Sequence, residues 1–255
     1  MNTSLKVGSL SLSSRLVMGT GGLQSLALLR DSLLASGSNV ATVALRRVSP
    51  DVDGSIYDLL TDLNFQLLPN TAGCYSAVDA VRIAEMAREA FSTNAIKLEV
   101  IGDESTLLPD VVETLKAAAI LVDRGFEVWA YTSDDFVVAE RLEQCGVAAV
   151  MPIGSPIGSG LGINNPHAIS LICSRLGVPV LLDAGLGTAS DATLAMELGC
   201  DAVLVASAIN RAIDPVRMAG AMRLGVEAGF EARTAGRIPL QTMGEASSPP
   251  IDFHS

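Results

Sequence analysis

The chain has 255 residues, close to the length of about 250 residues that is typical of one eight-stranded α/β barrel. Hydrophobic residues make up 49% of it and aromatic residues only 4%, so aliphatic side chains must fill a large core. The net charge of −11 argues against nucleic acid or an acidic membrane as a partner, because both need a basic surface, and the 18% of charged residues slightly favours an oligomer.

The sequence gives no sign of export or of a metal site. The first residues lack a basic segment followed by an apolar run, and no stretch of roughly 18 apolar residues occurs, so we expect a cytoplasmic protein. The only histidines, His167 and His254, are far apart, and we predict no protein-bound metal. Four cysteines form no CxxC pair and resemble small buried hydrophobes: Cys74, Cys145, Cys173 and Cys200.

Short apolar runs alternate with helical periodicity along the chain, which is typical of repeated βα units. After an opening hairpin over residues 5–14, eight strands are predicted at Leu16–Met18, Val40–Ala44, Phe65–Leu68, Ala95–Val100, Glu127–Tyr131, Ala148–Met151, Pro179–Asp183 and Ala202–Val205. Helices are predicted at Leu23–Ala35, Ile56–Leu60, Ala77–Phe91, Pro109–Arg124, Phe136–Cys145, Asn165–Leu176, Ala189–Leu198 and Pro215–Ala228. Pro109 and Pro215 suit a first helical turn, where the missing N–H costs nothing.

The pattern predicts an α/β fold, a single (β/α)₈ TIM barrel over about residues 15–230. A short N-terminal hairpin precedes the barrel and could cover its bottom, and a flexible C-terminal tail over about residues 240–255 follows it. We expect residues 1–255 to form one domain, because no linker interrupts the pattern.

The fourth predicted strand carries two charged side chains. Alternation over residues 95–100 places three aliphatic side chains towards the helices, so that Lys97 and Glu99 point into the barrel. Charge there is costly unless it is paired, which leaves a structural ion pair or, as we favour, an imine-forming lysine beside a carboxylate. A nucleophilic lysine must be neutral, through desolvation or through protonation of Glu99, and the sequence leaves this choice open.

Three further segments belong to the carboxyl ends of strands, where barrels carry their active sites. Asp183 ends the seventh strand and is either a general acid/base or a turn cap. A glycine- and serine-rich loop over residues 154–162 follows the sixth strand, and residues 206–209 follow the eighth. This quarter of a barrel often binds phosphate, so we predict a phosphate site there in preference to a plain flexible loop.

Several long motifs occur along the chain, in the following order: LVMGTGG (16–22), TVALRRV (42–48), LLPNTAG (67–73), IKLEVIGDESTLLPD (96–110), YTSDD (131–135), MPIGSPIGSGLGI (151–163), LLDAGLGT (181–188), GRIPL (236–240) and ASSP (246–249). Over nearly the whole chain they resemble thiazole synthase of bacterial thiamine biosynthesis. The resemblance implies that 1-deoxy-D-xylulose 5-phosphate forms an imine with Lys97 and rearranges. It also implies sulfur delivery from the C-terminal thiocarboxylate of a small ubiquitin-like carrier protein.

The same resemblance implies that a separate enzyme, consuming glycine or tyrosine, supplies dehydroglycine, and that the product is a carboxylated thiazole phosphate. We expect no cofactor, and the resemblance suggests a homotetramer or a complex with the carrier protein. Lys97 matches the imine lysine, and Glu99 and Asp183 match proton-transfer groups. Substrate contacts match Gly158, Ala184, Gly185, Ala206 and Ser207. Ala206 and Ser207 replace the usual Asn-Thr pair, so any contact at Ala206 must be through its backbone.

Two alternative functions remain open. One is another imine-forming barrel, such as an aldolase or a pyridoxal-phosphate synthase subunit, against which the YTSDD and PNTAG segments argue. The other is a non-catalytic phosphate-binding or carrier-docking barrel, against which the joint presence of Lys97, Glu99 and Asp183 argues.

Overall fold

The computed structural model of the protein describes residues 4–22, 25–45 and 55–248. The hairpin consists of β1 (Leu5–Val7) and β2 (Leu10–Leu12), and the barrel strands are β3 (Leu16–Gly19), β4 (Val40–Ala44), β5 (Gln66–Asn70), β6 (Ala95–Leu98), β7 (Glu127–Thr132), β8 (Ala149–Pro152), β9 (Leu181–Asp183) and β10 (Ala202–Val205). The helices are α1 (Leu26–Ser36), α2 (Ile56–Asp62), α3 (Ala77–Phe91), α4 (Val111–Asp123), α5 (Phe136–Gln144), α6 (Pro166–Arg175), α7 (Ala189–Glu197), α8 (Ser207–Asn210) and α9 (Pro215–Ala235).

The eight strands β3 to β10 form one parallel sheet in which neighbours in sequence pair with each other, and β3 pairs with β10. The sheet closes between β8 and β9 through a bridge from Val150 to Val180. The predicted (β/α)₈ barrel is thus confirmed. Among the described helices, none is both long and apolar enough to cross a membrane.

Alternating side chains divide the apolar residues into two cores. The larger core lies between the strands and the surrounding helices and includes Ile96, Leu98 and Val100, as alternation in the fourth strand predicts. The smaller core fills the barrel interior around Trp129 and Met151. Burial of these side chains contributes most of the favourable free energy of folding.

The N-terminal hairpin closes the end of the barrel at which the strands begin. Its apolar side chains Val7, Leu10 and Leu12 are buried against the interior core. Ser9 donates hydrogen bonds from its backbone N–H and from Oγ to Glu127 Oε2, the first residue of β7, at 2.7 and 2.6 Å. The prediction that the hairpin covers the barrel bottom is confirmed.

Two predicted helix boundaries are wrong. Pro109 does not lie in a first helical turn but precedes α4 and bridges to Ile101, because Asp110 caps the helix by accepting two backbone N–H groups at 3.0 Å. Helix α9 continues to Ala235, seven residues beyond Ala228, because the ring of Phe230 packs on the core and lies under the guanidinium of Arg15.

Other sequence features lie partly outside the described residues. These are the predicted start of α1 at Leu23, the end of the TVALRRV motif, and the C-terminal tail beyond residue 248. The described part of the segment after α9, residues 236–248, is exposed throughout and has no helix or strand.

Candidate active site

A cavity of about 300 Å³ opens at the carboxyl ends of the barrel strands. All eight residues predicted from the sequence line it: Lys97, Glu99, Gly158, Asp183, Ala184, Gly185, Ala206 and Ser207. The structure therefore brings together, in one cavity, residues from the ends of three strands, β6, β9 and β10, and from the loop after β8. Such a position is where barrel enzymes carry out their chemistry.

The floor of this cavity holds a lysine between two carboxylates. Lys97 Nζ lies 2.5 Å from Asp183 Oδ2 and 3.1 Å from Glu99 Oε1. All three residues are at most 6% exposed. Lys97 Nζ also lies 5.7 Å from the ring centre of Tyr131. The pairing offsets much of the desolvation cost, and the group still carries a net charge of −1 if both carboxylates are ionised.

The electrostatics of this trio favour a charged lysine at rest. Burial alone would lower the pKa of Lys97, but the charges of Asp183 and Glu99 outweigh it and raise that pKa above its ordinary value. Burial raises the pKa of Asp183, against the effect of Lys97 and with a further contribution from the charge of Glu99. The two carboxylates thus favour the charged form of Lys97 over the neutral amine that imine formation requires.

The chain after Asp183 turns sharply to form one wall of the cavity. Ala184 and Gly185 both have positive φ, +74° and +84°, a conformation that glycine adopts without strain and alanine does not. Their carbonyls accept hydrogen bonds from Gly154 N at 3.3 Å and from Gly162 N at 2.9 Å. Both ends of the glycine-rich loop over residues 154–162 are thereby hydrogen-bonded to the chain that follows β9, and the loop contributes Gly158 to the cavity wall.

The opposite wall comes from β3, β10 and the short helix α8. The ends of β3 and β10 approach so closely that a Cβ on Gly19 would overlap the Cβ of Ala206. Ala206 is the N-cap residue of α8 and has no polar side chain, whereas Ser207 begins that helix and lines the cavity. The structure thus brings both residues to the predicted corner, with a hydroxyl only at Ser207.

Two cavity residues were not singled out from the sequence. Asn210 is 7% exposed, and its Nδ2 donates a short hydrogen bond to the carbonyl of Gly21, while its Oδ1 has no hydrogen-bond partner among the described residues. Arg211 Nη1 donates to the carbonyl of Gly158 at 3.3 Å. Both follow directly after segment 206–209, and α8 is too short for helical periodicity to indicate which of its side chains face the cavity.

A second cavity of about 210 Å³ lies beside the first and shares with it Gly158, Leu186, Ser207, Ala208 and Arg211. It is otherwise lined by glycine, alanine and methionine. Within the described part of the chain, no three His, Cys, Asp or Glu side chains come together in a way that could hold a metal ion.

Comparison with known proteins places this barrel in a family. The family model "Thiazole biosynthesis protein ThiG" matches residues 6–249. A chain in the crystal structure of the Amycolatopsis orientalis BexX/CysO complex is 34% identical, with a TM-score of 0.84, and the alignment covers 94% of this chain and 98% of that one.

More distant structures share the fold. Thiamine phosphate pyrophosphorylase from Pyrococcus furiosus is 14% identical with a TM-score of 0.58 over 84% of this chain and 95% of that one. A mandelate oxidase bound to benzaldehyde is also 14% identical, with a TM-score of 0.60 over 92% of this chain and 76% of that one. Because the match at 34% identity and the family model both span nearly the whole chain, the chain belongs to the ThiG family of thiazole biosynthesis proteins.

Proposed function

We propose that the protein is a thiazole synthase, a single-domain transferase that holds 1-deoxy-D-xylulose 5-phosphate as an imine on Lys97. The observation that carries the proposal is the position of Lys97 Nζ, within 3.1 Å of two buried carboxylates on the floor of an open cavity. A lysine held only for stability has no need of an adjacent cavity of about 300 Å³.

The first step requires a neutral amine, and Asp183 is placed to accept the proton. Its Oδ2 is 2.5 Å from Lys97 Nζ, and its raised pKa makes it a better base than an ordinary aspartate. The free amine then adds to the ketone carbon, and the oxygen leaves as water after proton transfers from Asp183 and Glu99. The products of this step are the imine and one molecule of water.

The same two carboxylates serve the later proton transfers. Removing a proton from the carbon next to the imine and returning it elsewhere moves the carbonyl along the sugar, and Glu99 and Asp183 lie on two sides of Lys97 Nζ. Backbone around Gly158, Ala184, Gly185 and Ala206, together with the Ser207 hydroxyl, would hold the phosphate end while the reacting end changes.

The remaining reactants come from other proteins. We propose that a small ubiquitin-like carrier delivers sulfur from its C-terminal thiocarboxylate, and that dehydroglycine from a separate enzyme supplies carbon and nitrogen before ring closure. A similar chain crystallised in the BexX/CysO complex supports the idea of a second protein in the assembly. A homotetramer is proposed as well, and light scattering of the purified protein tests it.

A substitution at Lys97 separates catalysis from mere binding. Lys97→Ala should abolish thiazole formation from the sugar phosphate, the thiocarboxylate carrier and dehydroglycine, while Lys116→Ala, which removes an exposed lysine, should leave turnover unchanged. Retained turnover in Lys97→Ala would contradict the proposal and would favour a binding role for the barrel.

A further inference from the structure

We propose that Arg211 is a specificity-determining residue that recognises the phosphate of the sugar substrate. The inference rests on the proposed function and adds to it a side chain that the family resemblance does not supply. It follows from three features of the cavity wall, which are the charge balance, the position of Arg211 and the unused donors of its guanidinium group.

The charge balance of the main cavity disfavours a phosphate. Four charged side chains line it, and Lys97 is already paired with both Glu99 and Asp183. Within the described part of the chain, Arg211 is the one lining cation that has no carboxylate within 4.0 Å. Without it, a dianionic phosphate would enter a site of net negative charge in a chain of net charge −11.

Arg211 lies beside the part of the cavity in which a phosphate is expected. It is the C-cap residue of α8, and its side chain lines both cavities at the wall that they share with Gly158 and Ser207. In barrels, the loops after the seventh and eighth strands and a short extra helix commonly form the phosphate site. Here Gly185 and Leu186, in the loop after β9, line the same cavity as Ser207 and Arg211.

Within the described part of the chain, the guanidinium group of Arg211 makes one hydrogen bond to the cavity wall, which leaves its other donors without a partner there. Its Nη1 donates to the carbonyl of Gly158 at 3.3 Å, and a Cβ on Gly158 would meet that atom at 2.8 Å, so the glycine permits this close packing. Arginine carries five N–H donors in a fork that matches phosphate geometry. The donors that are not bonded to Gly158 would be available to a phosphate in the cavity that Arg211 lines.

Arg211→Gln tests the inference, with Arg217→Gln as the matched control. Arg217 is exposed in the first turn of α9 and lines neither cavity. Each variant therefore loses one positive charge, but only Arg211→Gln loses it at the cavity wall. The measurement is the concentration dependence of borohydride-trapped adduct with 1-deoxy-D-xylulose 5-phosphate and with unphosphorylated 1-deoxy-D-xylulose. Trapping needs neither dehydroglycine nor the carrier, so an effect on it cannot come from the carboxylate of dehydroglycine.

We expect Arg211→Gln to raise the half-saturating concentration of the phosphorylated sugar by about 10- to 100-fold, the value of one hydrogen-bonded charge pair. The unphosphorylated sugar and the Arg217→Gln variant should be unaffected, and Arg211→Lys should recover only part of the loss. An unchanged half-saturation for the phosphorylated sugar, or an equal change for both sugars, would overturn the inference.

A second readout is independent of imine chemistry. Calorimetry with inorganic phosphate should show weaker binding to Arg211→Gln than to the parent protein and to Arg217→Gln, and equal binding by all three would also overturn the inference. If the parent protein formed no adduct with either sugar, the proposed function would fail, while the phosphate calorimetry would still decide the role of Arg211.

Discussion

The contact between Lys97 and Asp183 allows a quantitative prediction for the variant Asp183→Asn. Lys97 Nζ lies 2.5 Å from Asp183 Oδ2. At an effective dielectric constant of about 20, the Asp183 carboxylate therefore stabilises the Lys97 ammonium by about 6 to 7 kcal/mol compared with an uncharged group in its place. The asparagine dipole and local relaxation recover part of this, so we expect a net loss of about 1.5 to 4 kcal/mol, which lowers the titration midpoint of Lys97 by about 1 to 3 pH units.

The chain offers a direct assay, because it contains only three lysines, Lys6, Lys97 and Lys116. Labelling lysine with ¹³C at Cε gives three resonances, whose pH titrations report each amine separately. In Asp183→Asn the Lys97 resonance should titrate at lower pH than in the parent. The Lys6 resonance should behave in the same way in both proteins. Asp31→Asn, which removes an exposed carboxylate on α1, is the matched control.

Turnover should fall in Asp183→Asn by about 10²- to 10⁴-fold, the usual contribution of a general acid/base, even though more of the lysine is neutral. A Lys97 resonance that titrates at the same pH in both proteins would refute the electrostatic reasoning. Unchanged turnover would refute the assignment of Asp183 as a proton-transfer group.

Three further predictions concern stability and reactivity. Lys97→Met should lower the free energy of unfolding by about 3 to 5 kcal/mol at pH 8, because it leaves buried carboxylates without a positive charge. The loss should be smaller at pH 5, because the raised pKa of buried Asp183 lets this carboxylate bind a proton in the folded state. Equal losses in urea melts at both pH values would contradict this reasoning. Gly185→Ala, which combines φ of +84° with a backbone overlap, should cost about 2 to 4 kcal/mol, while Gly220→Ala within α9, where a Cβ meets open space, should stabilise by about 0.5 to 1 kcal/mol in the same melts. Cys200, whose thiol pKa is raised by its hydrogen bond with Cys173 and by burial, should resist iodoacetamide at pH 8 until the protein is unfolded, and rapid labelling of the native protein would contradict its burial.

The strands and the position of the cavity could be predicted from the sequence because both depend on local pattern. Alternation in residues 95–100 separates a helix-facing aliphatic row from Lys97 and Glu99, and parallel strands bring their carboxyl ends to one face of the barrel. The motifs shared with the family contain Lys97 and Glu99 as well. The residues that line the cavity could therefore be predicted from the strand ends and from the loops that follow them.

Contacts across the barrel could not be predicted in this way. The pattern of the fourth strand indicates Glu99 as the partner of Lys97, yet the shorter contact is to Asp183, which lies 86 residues further along the chain. Likewise the four residues of α8 are too few to show a helical period, so the inward position of Asn210 and the reach of Arg211 to Gly158 appear only in three dimensions.

The central claim is that Lys97 forms an imine with the sugar phosphate, and borohydride trapping tests it most directly. The protein is incubated with 1-deoxy-D-xylulose 5-phosphate, reduced, digested and analysed by peptide mass spectrometry. We predict a reduced adduct on the peptide that contains Lys97 and none on those that contain Lys6 or Lys116. Folded protein that forms no adduct with the sugar phosphate in excess would contradict the mechanism, and an adduct on another lysine would contradict the assignment of Lys97.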